Sequence, residues 1–258
     1  MFNLSPFLFF ILGLFIGSFL GVLIDRIPRK KSVLRGRSKC DHCQKTLSWY
    51  ELIPLASYII LKGKCSNCKK PISIFYPIVE LSTGVLFAFT FWLSMVNGQW
   101  SIVNMLFYLF IVSVFLVVFF TDLKYGIIPD RIIFPSVFIT FLYLTIYSPP
   151  LLLNHMLSAA GVAFLFFLLI VVTRGRGMGA GDLKYSFFLG FLLGFPEVII
   201  ALYIAILTGG GMASILVLWG KKKLSGVIPF GPFLTIGAFL TLFYSGELIH
   251  FIYKFLGL

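Results

Sequence analysis

Polar sequence is scarce in this chain. Of its 258 residues 59% are hydrophobic and 12% charged, only nine of them acidic, and the mean hydropathy is +1.02. A soluble domain is roughly half apolar, so these values exclude one and point to a polytopic membrane protein. Only residues 26–74 are polar enough to lie in water. No charge precedes the first apolar run, and a basic cluster follows it, which excludes a cleaved secretory signal, whose charges come first. It is expected to stay as a helix. The chain has no Rossmann fingerprint, and no strand is predicted before its glycine-rich stretch, so a phosphate-cradling loop has little support. Basic residues interleaved with aromatics are also missing, which leaves the net charge of +12 without a nucleic-acid role and suited to anionic lipid headgroups.

Apolar runs of about 20 residues, the length needed to cross hydrocarbon, occupy 6–24, 75–96, 101–120, 132–147, 151–172, 198–219 and 228–245. Between the fifth and sixth lies a shorter run, Leu183 to Phe195, of 13 residues. At ~1.5 Å per residue it reaches only ~20 Å of a core of ~30 Å. Charge resolves the count, because cytoplasmic loops collect Lys and Arg. With the N-terminus outside and eight spans, 20 of the 21 basic residues fall inside, leaving Lys254 outside. Omitting the short run would strand Lys221 to Lys223 on the wrong face. The expected architecture is therefore all-α, about eight transmembrane helices with a small cytosolic domain between helices 1 and 2. Its divisions are a first helix (1–25), a tetracysteine domain (26–74) and a seven-helix membrane domain (75–258).

All four cysteines lie in the polar segment, as Cys40, Cys43, Cys65 and Cys68, two CxxC pairs separated by 21 residues. Paired knuckles of this kind suit one tetrahedral Zn2+, and the expected cytosolic location keeps thiols reduced. Four thiolates complete the shell, so His42 is expected to be a bystander. A domain of about 50 residues has too little core to be secure alone, which makes the metal's role structural.

Two acids stand at the edges of apolar runs, Asp122 and Asp182, each opening the tetrapeptide DLKY. An ionisable group near membrane depth is costly and marks function. Glycines 175, 177, 179 and 181 precede Asp182 and allow close backbone approach or positive φ, as docking of an extended peptide requires. Two neighbouring carboxylates resist double ionisation, so one can activate water while the other, protonated, supports the oxyanion and the leaving nitrogen. The same acids would fit a proton relay or ion site in a transporter. Composition alone leaves both readings open.

Longer stretches make the pattern specific: GLFIGSFLGVLIDRIPR (13–29), RSKCDHCQKTLSWYELIPLASYIILKGKCSNC (37–68), YPIVELSTG (76–84), TDLKYGIIPD (121–130), GMGAGDLK (177–184) and IPFGPFL (228–234). In sequence, order and membrane placement they resemble the bacterial type IV prepilin peptidases, membrane aspartic proteases of the GxGD type. The resemblance implies a bifunctional enzyme of the bacterial cytoplasmic membrane. Such an enzyme removes the basic leader of prepilins and pseudopilins on the cytoplasmic side. It then methylates the new terminal amine with S-adenosylmethionine. By motif, Asp122 and Asp182 correspond to the catalytic pair, Gly179 and Gly181 to the GxGD glycines, and the four cysteines to the family's tetracysteine domain. Glu51 matches the acidic position associated with methylation. The family's early GSFLN reads GSFLG here, so Gly21 replaces an amide donor and acceptor, a departure that bears on methylation more than on cleavage. A GxGD protease for other membrane substrates is the enzymatic alternative. A transporter is the other, although beyond the DLKY echo the chain lacks two related halves.

Further polar residues carry smaller expectations. Asp130 is expected at a helix start, favoured by the dipole. Lys124 and Lys184 are expected to snorkel, with tuning of the acids beside them or binding of lipid phosphate as the alternatives. Glu80 should find a structural hydrogen bond, and His155 and His250 should lie remote from the acids. Pro229, Gly231 and Pro232 should break a helix start and shape the cleft. A basic leader would need an acidic partner, for which Asp41 and Glu51 are the candidates outside the catalytic pair.

Overall fold

The computed structural model describes residues 5–33, 36–96, 101–175, 178–219 and 229–256, with side chains through residue 248. Arg35, Arg176, Gly177 and Lys221 to Lys223, and the side chains of His250 and Lys254, therefore lie outside the described residues. All eight apolar runs fold as helices, and no strand occurs among the described residues. Six of these helices are long and apolar enough to cross a bilayer, making this a multi-pass membrane protein. The chain forms two compact units, residues 1–117 and 118–258.

In the first unit, α1 (Pro6–Arg26) leads into the polar segment, which holds a 3-10 turn (Trp49–Leu52) and the short α2 (Ala56–Ile60). The chain returns along α3 (Phe75–Val96), which packs antiparallel to α1. Their backbones nearly touch: a Cβ on Gly13 would lie 2.7 Å from Gly84 Cα, and one on Gly17 would lie 2.7 Å from Glu80 Cα. Lipid tails provide no hydrophobic drive between helices, so small residues that admit close van der Waals packing hold such a pair together. Buried hydroxyls on α3 are satisfied within the helix, Thr83 donating to Val79 O at 2.7 Å and Thr90 to Leu86 O at 2.7 Å. The next helix, α4 (Ile102–Tyr125), begins in this unit and ends in the second.

The second unit continues through α5 (Asp130–Tyr147), α6 (Leu152–Val172), α7 (Ala180–Leu193), α8 (Glu197–Leu218) and α9 (Gly231–Leu256), the last broken at Tyr244 (φ −127°, ψ 23°). The helix formed by the short run, α7, touches α5, α6, α8 and α9. Tyr185, Ser186 and every residue from Phe188 to Leu193 are buried. A helix apolar on all sides belongs inside a protein, and that explains why 14 residues suffice: its neighbours, rather than lipid, cover it. Close glycine contacts fix the packing, with Gly190 against the Ala159 backbone of α6 and Gly237 of α9 against the Ala201 carbonyl of α8.

Candidate active site and metal centre

Both aspartates belong to the second unit. Asp122 is on the last turn of α4 and only 5% exposed, while Asp182 is in the first turn of α7 and partly exposed. Each carboxylate is held by a glycine amide at a helix start. Gly231 N–H, at the first residue of α9, donates to Asp122 Oδ2 at 2.8 Å. Gly179 N–H donates to Asp182 Oδ2 at 3.0 Å, forming the capping contact of α7. The Asp182 charge acts on Asp122, so the two acids lie within electrostatic reach. Asp122 also reaches Tyr185 electrostatically.

The glycines before Asp182 divide in their roles. Gly175 takes the left-handed conformation (φ +71°), whereas Gly179 is extended (φ −93°, ψ 162°). Gly181 supplies the close approach, since a Cβ there would come within 3.3 Å of Ile128 Cβ on the linker between α4 and α5. That contact brings the segment after Asp122 against the turn that carries Asp182.

Lys184 and Asp130 form an ion pair, with Nζ 2.8 Å from each carboxylate oxygen. Asp130 does sit in the first turn of α5, as its first residue. Lys124 lies over the Tyr125 ring at 5.3 Å. His155 is buried beside Phe191 O at 2.9 Å, at the opposite end of α7 from Asp182. The proline-flanked start of α9 was expected from sequence to break a helix start and shape the cleft. Its amide contact with Asp122 was missed, as were Tyr185 and Thr235, whose hydroxyls meet at 2.9 Å.

In the first unit the two knuckles repeat one turn. Cys40 N–H donates to Lys45 O at 3.0 Å and Cys65 N–H to Lys70 O at 2.9 Å, with left-handed Gln44 (φ 55°) and Lys69 (φ 57°) at matching positions. The bridges Lys39 to Thr46 and Lys64 to Pro71 close them. All four sulfurs lie within 4.8 Å of one another, with Cys40 and Cys68 Sγ 3.8 Å apart and Cys43 and Cys65 Sγ 3.9 Å apart. A tetrahedron with Zn–S bonds of about 2.3 Å has edges of about 3.8 Å, so this donor set fits structural zinc. A hydrogen bond from the Lys45 backbone, with help from Asn67, lowers the Cys43 thiol to about 6. Backbone contacts from Cys68 and Asn67 lower Cys65 as well. Both shifts favour the thiolate, the form that binds metal, whereas at Cys68 the Lys70 backbone hydrogen bond is outweighed by burial and the neighbouring sulfurs, which push the thiol up to about 11. His42 is exposed and outside the cluster.

Glu51, buried at 8% exposure, joins both knuckles. Its Oε2 accepts Ser48 N–H at 2.7 Å, its Oε1 accepts the Ser66 hydroxyl, and Lys45 Nζ lies 3.8 Å away. Hydrogen bonds from the Ser48 backbone and then the Ser66 side chain hold its carboxyl below the usual range. It therefore does not present itself to a basic leader, whereas Asp41 is exposed. Glu80 makes the expected structural bond: its Oε2 accepts the N–H of Leu55 at 2.9 Å, a residue with positive φ (φ 56°, ψ −47°). Gly21 is buried, and among the described residues a Cβ there would make an ordinary contact with Tyr76 Cδ1, at 3.5 Å.

Family comparisons also divide the chain in two, with their break between residues 94 and 109, ahead of the unit boundary at 117. Residues 11–94 match the Bacterial Peptidase A24 N-terminal domain, and residues 109–214 match the Type IV leader peptidase family. A prepilin leader peptidase/N-methyltransferase of Bacillus subtilis (strain 168) is 34% identical over 247 residues, covering 95% of this chain and 96% of its own. The chain belongs to the type IV leader peptidase family. Relatives of the same description include one from Xanthomonas campestris pv. campestris, 30% identical with 96% and 94% of the two chains covered. Another, from Vibrio cholerae serotype O1, is 32% identical with 72% and 77% covered. No solved structure matches the chain. The chain is thus a membrane enzyme of the family, with both aspartates inside the second match and all four cysteines inside the first.

Proposed function

We propose that this enzyme cleaves the basic leader of type IV prepilins or pseudopilins, using Asp122 and Asp182 as its catalytic pair. The observation that carries the reading is the presence of both acids in one unit, within electrostatic reach and each held by a glycine amide. One carboxylate, ionised, takes a proton from water as that water attacks the scissile carbonyl. The other, protonated, supports the oxyanion and then protonates the departing nitrogen. Gly179 and Gly181 shape the turn on which Asp182 is presented.

The basic-loop bias supports an N-terminus outside and a zinc domain in the cytoplasm, in the bacterial inner membrane. A prepilin has its cleavage point between a basic leader and an apolar helix, at the inner membrane surface, the same depth as the acids. On this reading residues 26–74 form the zinc-stabilised domain held by Cys40, Cys43, Cys65 and Cys68, and 75–258 the seven-helix peptidase. Membrane lipid surrounds the latter, and nucleic acid has no part. A second activity, N-methylation of the new terminus with S-adenosylmethionine, follows from the relatives' description. With both its oxygens engaged, Glu51 serves that activity by shaping the tetracysteine domain.

The test is coexpression with a prepilin-like substrate. Asp122→Asn and Asp182→Asn should each abolish leader removal while the protein still accumulates in the membrane. Full-speed processing by either variant would overturn the proposal. Mass measurement of the mature amine reads methylation separately.

A further inference from the structure

We infer that the first turn of α9 belongs to the catalytic apparatus: Gly231 N–H is a positioning donor for Asp122, and the Tyr185–Thr235 hydrogen bond sets its place relative to Asp182. This rests on the proposed proteolytic role of the two acids.

The bonds form one continuous chain. Thr235, one turn after Gly231, donates its hydroxyl proton to Gly231 O at 2.8 Å. A threonine has a single proton to give, so in the 2.9 Å contact with Tyr185 the phenol is the donor. Tyr185 lies three residues, about one helical turn, beyond Asp182 on α7. Thus α7 carries one acid and also fixes the turn of α9 whose amide holds the other. The ring of Tyr185 and the Thr235 side chain are both buried, at 0% and 6% exposure, where a fixed hydrogen bond is stronger than one open to water.

Space around the donor is equally restrictive. A Cβ on Gly231 would lie 2.7 Å from Asp122 Oδ2 and 3.1 Å from its Cγ, so any other residue displaces the carboxylate. The two DLKY copies differ here, too. Only the second places its tyrosine fully inside the protein, since Tyr125 is not buried. A tyrosine wanted merely as an amphipathic anchor at the membrane surface would not be enclosed in this way. Small errors in acid placement are costly, because catalytic groups must be held within a fraction of an ångström.

Steady-state cleavage of a prepilin by purified full-length protein tests the inference, with the variants Thr235→Val, Thr235→Ser, Tyr185→Phe, Gly231→Ala and Asp122→Asn. Thr235→Val and Tyr185→Phe should lower kcat about tenfold with KM within about twofold, the signature of an interaction used in the transition state. Thr235→Ser, which keeps the hydroxyl, should restore kcat. Gly231→Ala should lose on the order of a hundredfold. A clasp that only stabilised the fold would reduce the yield of folded protein and leave kcat per folded molecule unchanged. That result, or Thr235→Ser as slow as Thr235→Val, overturns the inference. Retained cleavage by Asp122→Asn would overturn the proteolytic reading itself, whereas an inactive Asp122→Asn beside an unaffected Thr235→Val would remove only this inference.

Discussion

Lys184 grips both carboxylate oxygens of Asp130, each at 2.8 Å, joining the early part of α7 to the first residue of α5. The side chains are 38% and 50% exposed, and an ion pair so open to water contributes at most about 1 kcal/mol to stability. Its value lies in place rather than strength, because Lys184 follows Asp182 by two residues. Asp130→Asn should slow leader removal several-fold, on the order of threefold to tenfold, with little change in thermal midpoint. Exchanging the charges, Asp130→Lys with Lys184→Asp, should recover part of the loss. Equal rates for wild type and Asp130→Asn in a purified assay would show that the pair is dispensable.

The sulfur tetrahedron predicts one zinc per chain. Elemental analysis of the purified protein should find it, and Cys65→Ser, at the most buried ligand (2% exposed), should abolish it. Structural zinc contributes on the order of 10 kcal/mol to small domains that fold around it. Limited proteolysis after chelation should therefore open residues 37–73 while the membrane helices stay intact. A metal-free protein with an equally resistant polar segment would contradict the structural role.

Glu51 makes that segment sensitive to acid. Its folded carboxyl is held below the ordinary value of 4.5, chiefly by the Ser48 amide. The stabilisation is therefore complete above that value and drains away as pH falls through the lower folded one. Glu51→Gln lacks it, so the gap in thermal midpoint between wild type and variant should be constant from about pH 7 to about pH 5 and close in stronger acid. A gap that widened in acid would reverse the sign and refute the assignment.

Gly21 offers a gain-of-function test. The nearest atom to an added Cβ is Tyr76 Cδ1 at 3.5 Å, an ordinary contact, so Gly21→Asn should fold and restore the family's amide. If the missing amide limits methylation, the methylated share of mature pilin measured by mass spectrometry should rise at least about twofold, with leader removal unchanged, because the change adds a donor and acceptor and alters neither aspartate. No rise would mean that Gly21 is not the limiting departure.

The eight helices were legible because an apolar run records the length of a span. Their partners were not, since lipid-facing and helix-facing surfaces are equally apolar. Nothing in the run containing Gly13 and Gly17 names Gly84 and Glu80 as the atoms they meet. The four cysteines were readable because metal spacing is a local property, and their sulfurs converge as the two knuckles suggest. Asp122 and Asp182 stood out through their rarity. Gly231 did not, because its contribution is a backbone amide brought across 109 residues by folding. Glu51 carried an acidic label in the sequence, yet only the folded domain reveals that both oxygens are taken.

The shortness of α7 shapes how solvent meets its first acid. Fourteen residues rise about 21 Å, some 9 Å less than a typical hydrocarbon slab, and since neighbouring helices cover α7, protein rather than lipid makes up the difference. Asp182 starts that helix and is partly exposed, so the route by which water arrives is built into the enzyme and does not depend on the thickness of the surrounding bilayer.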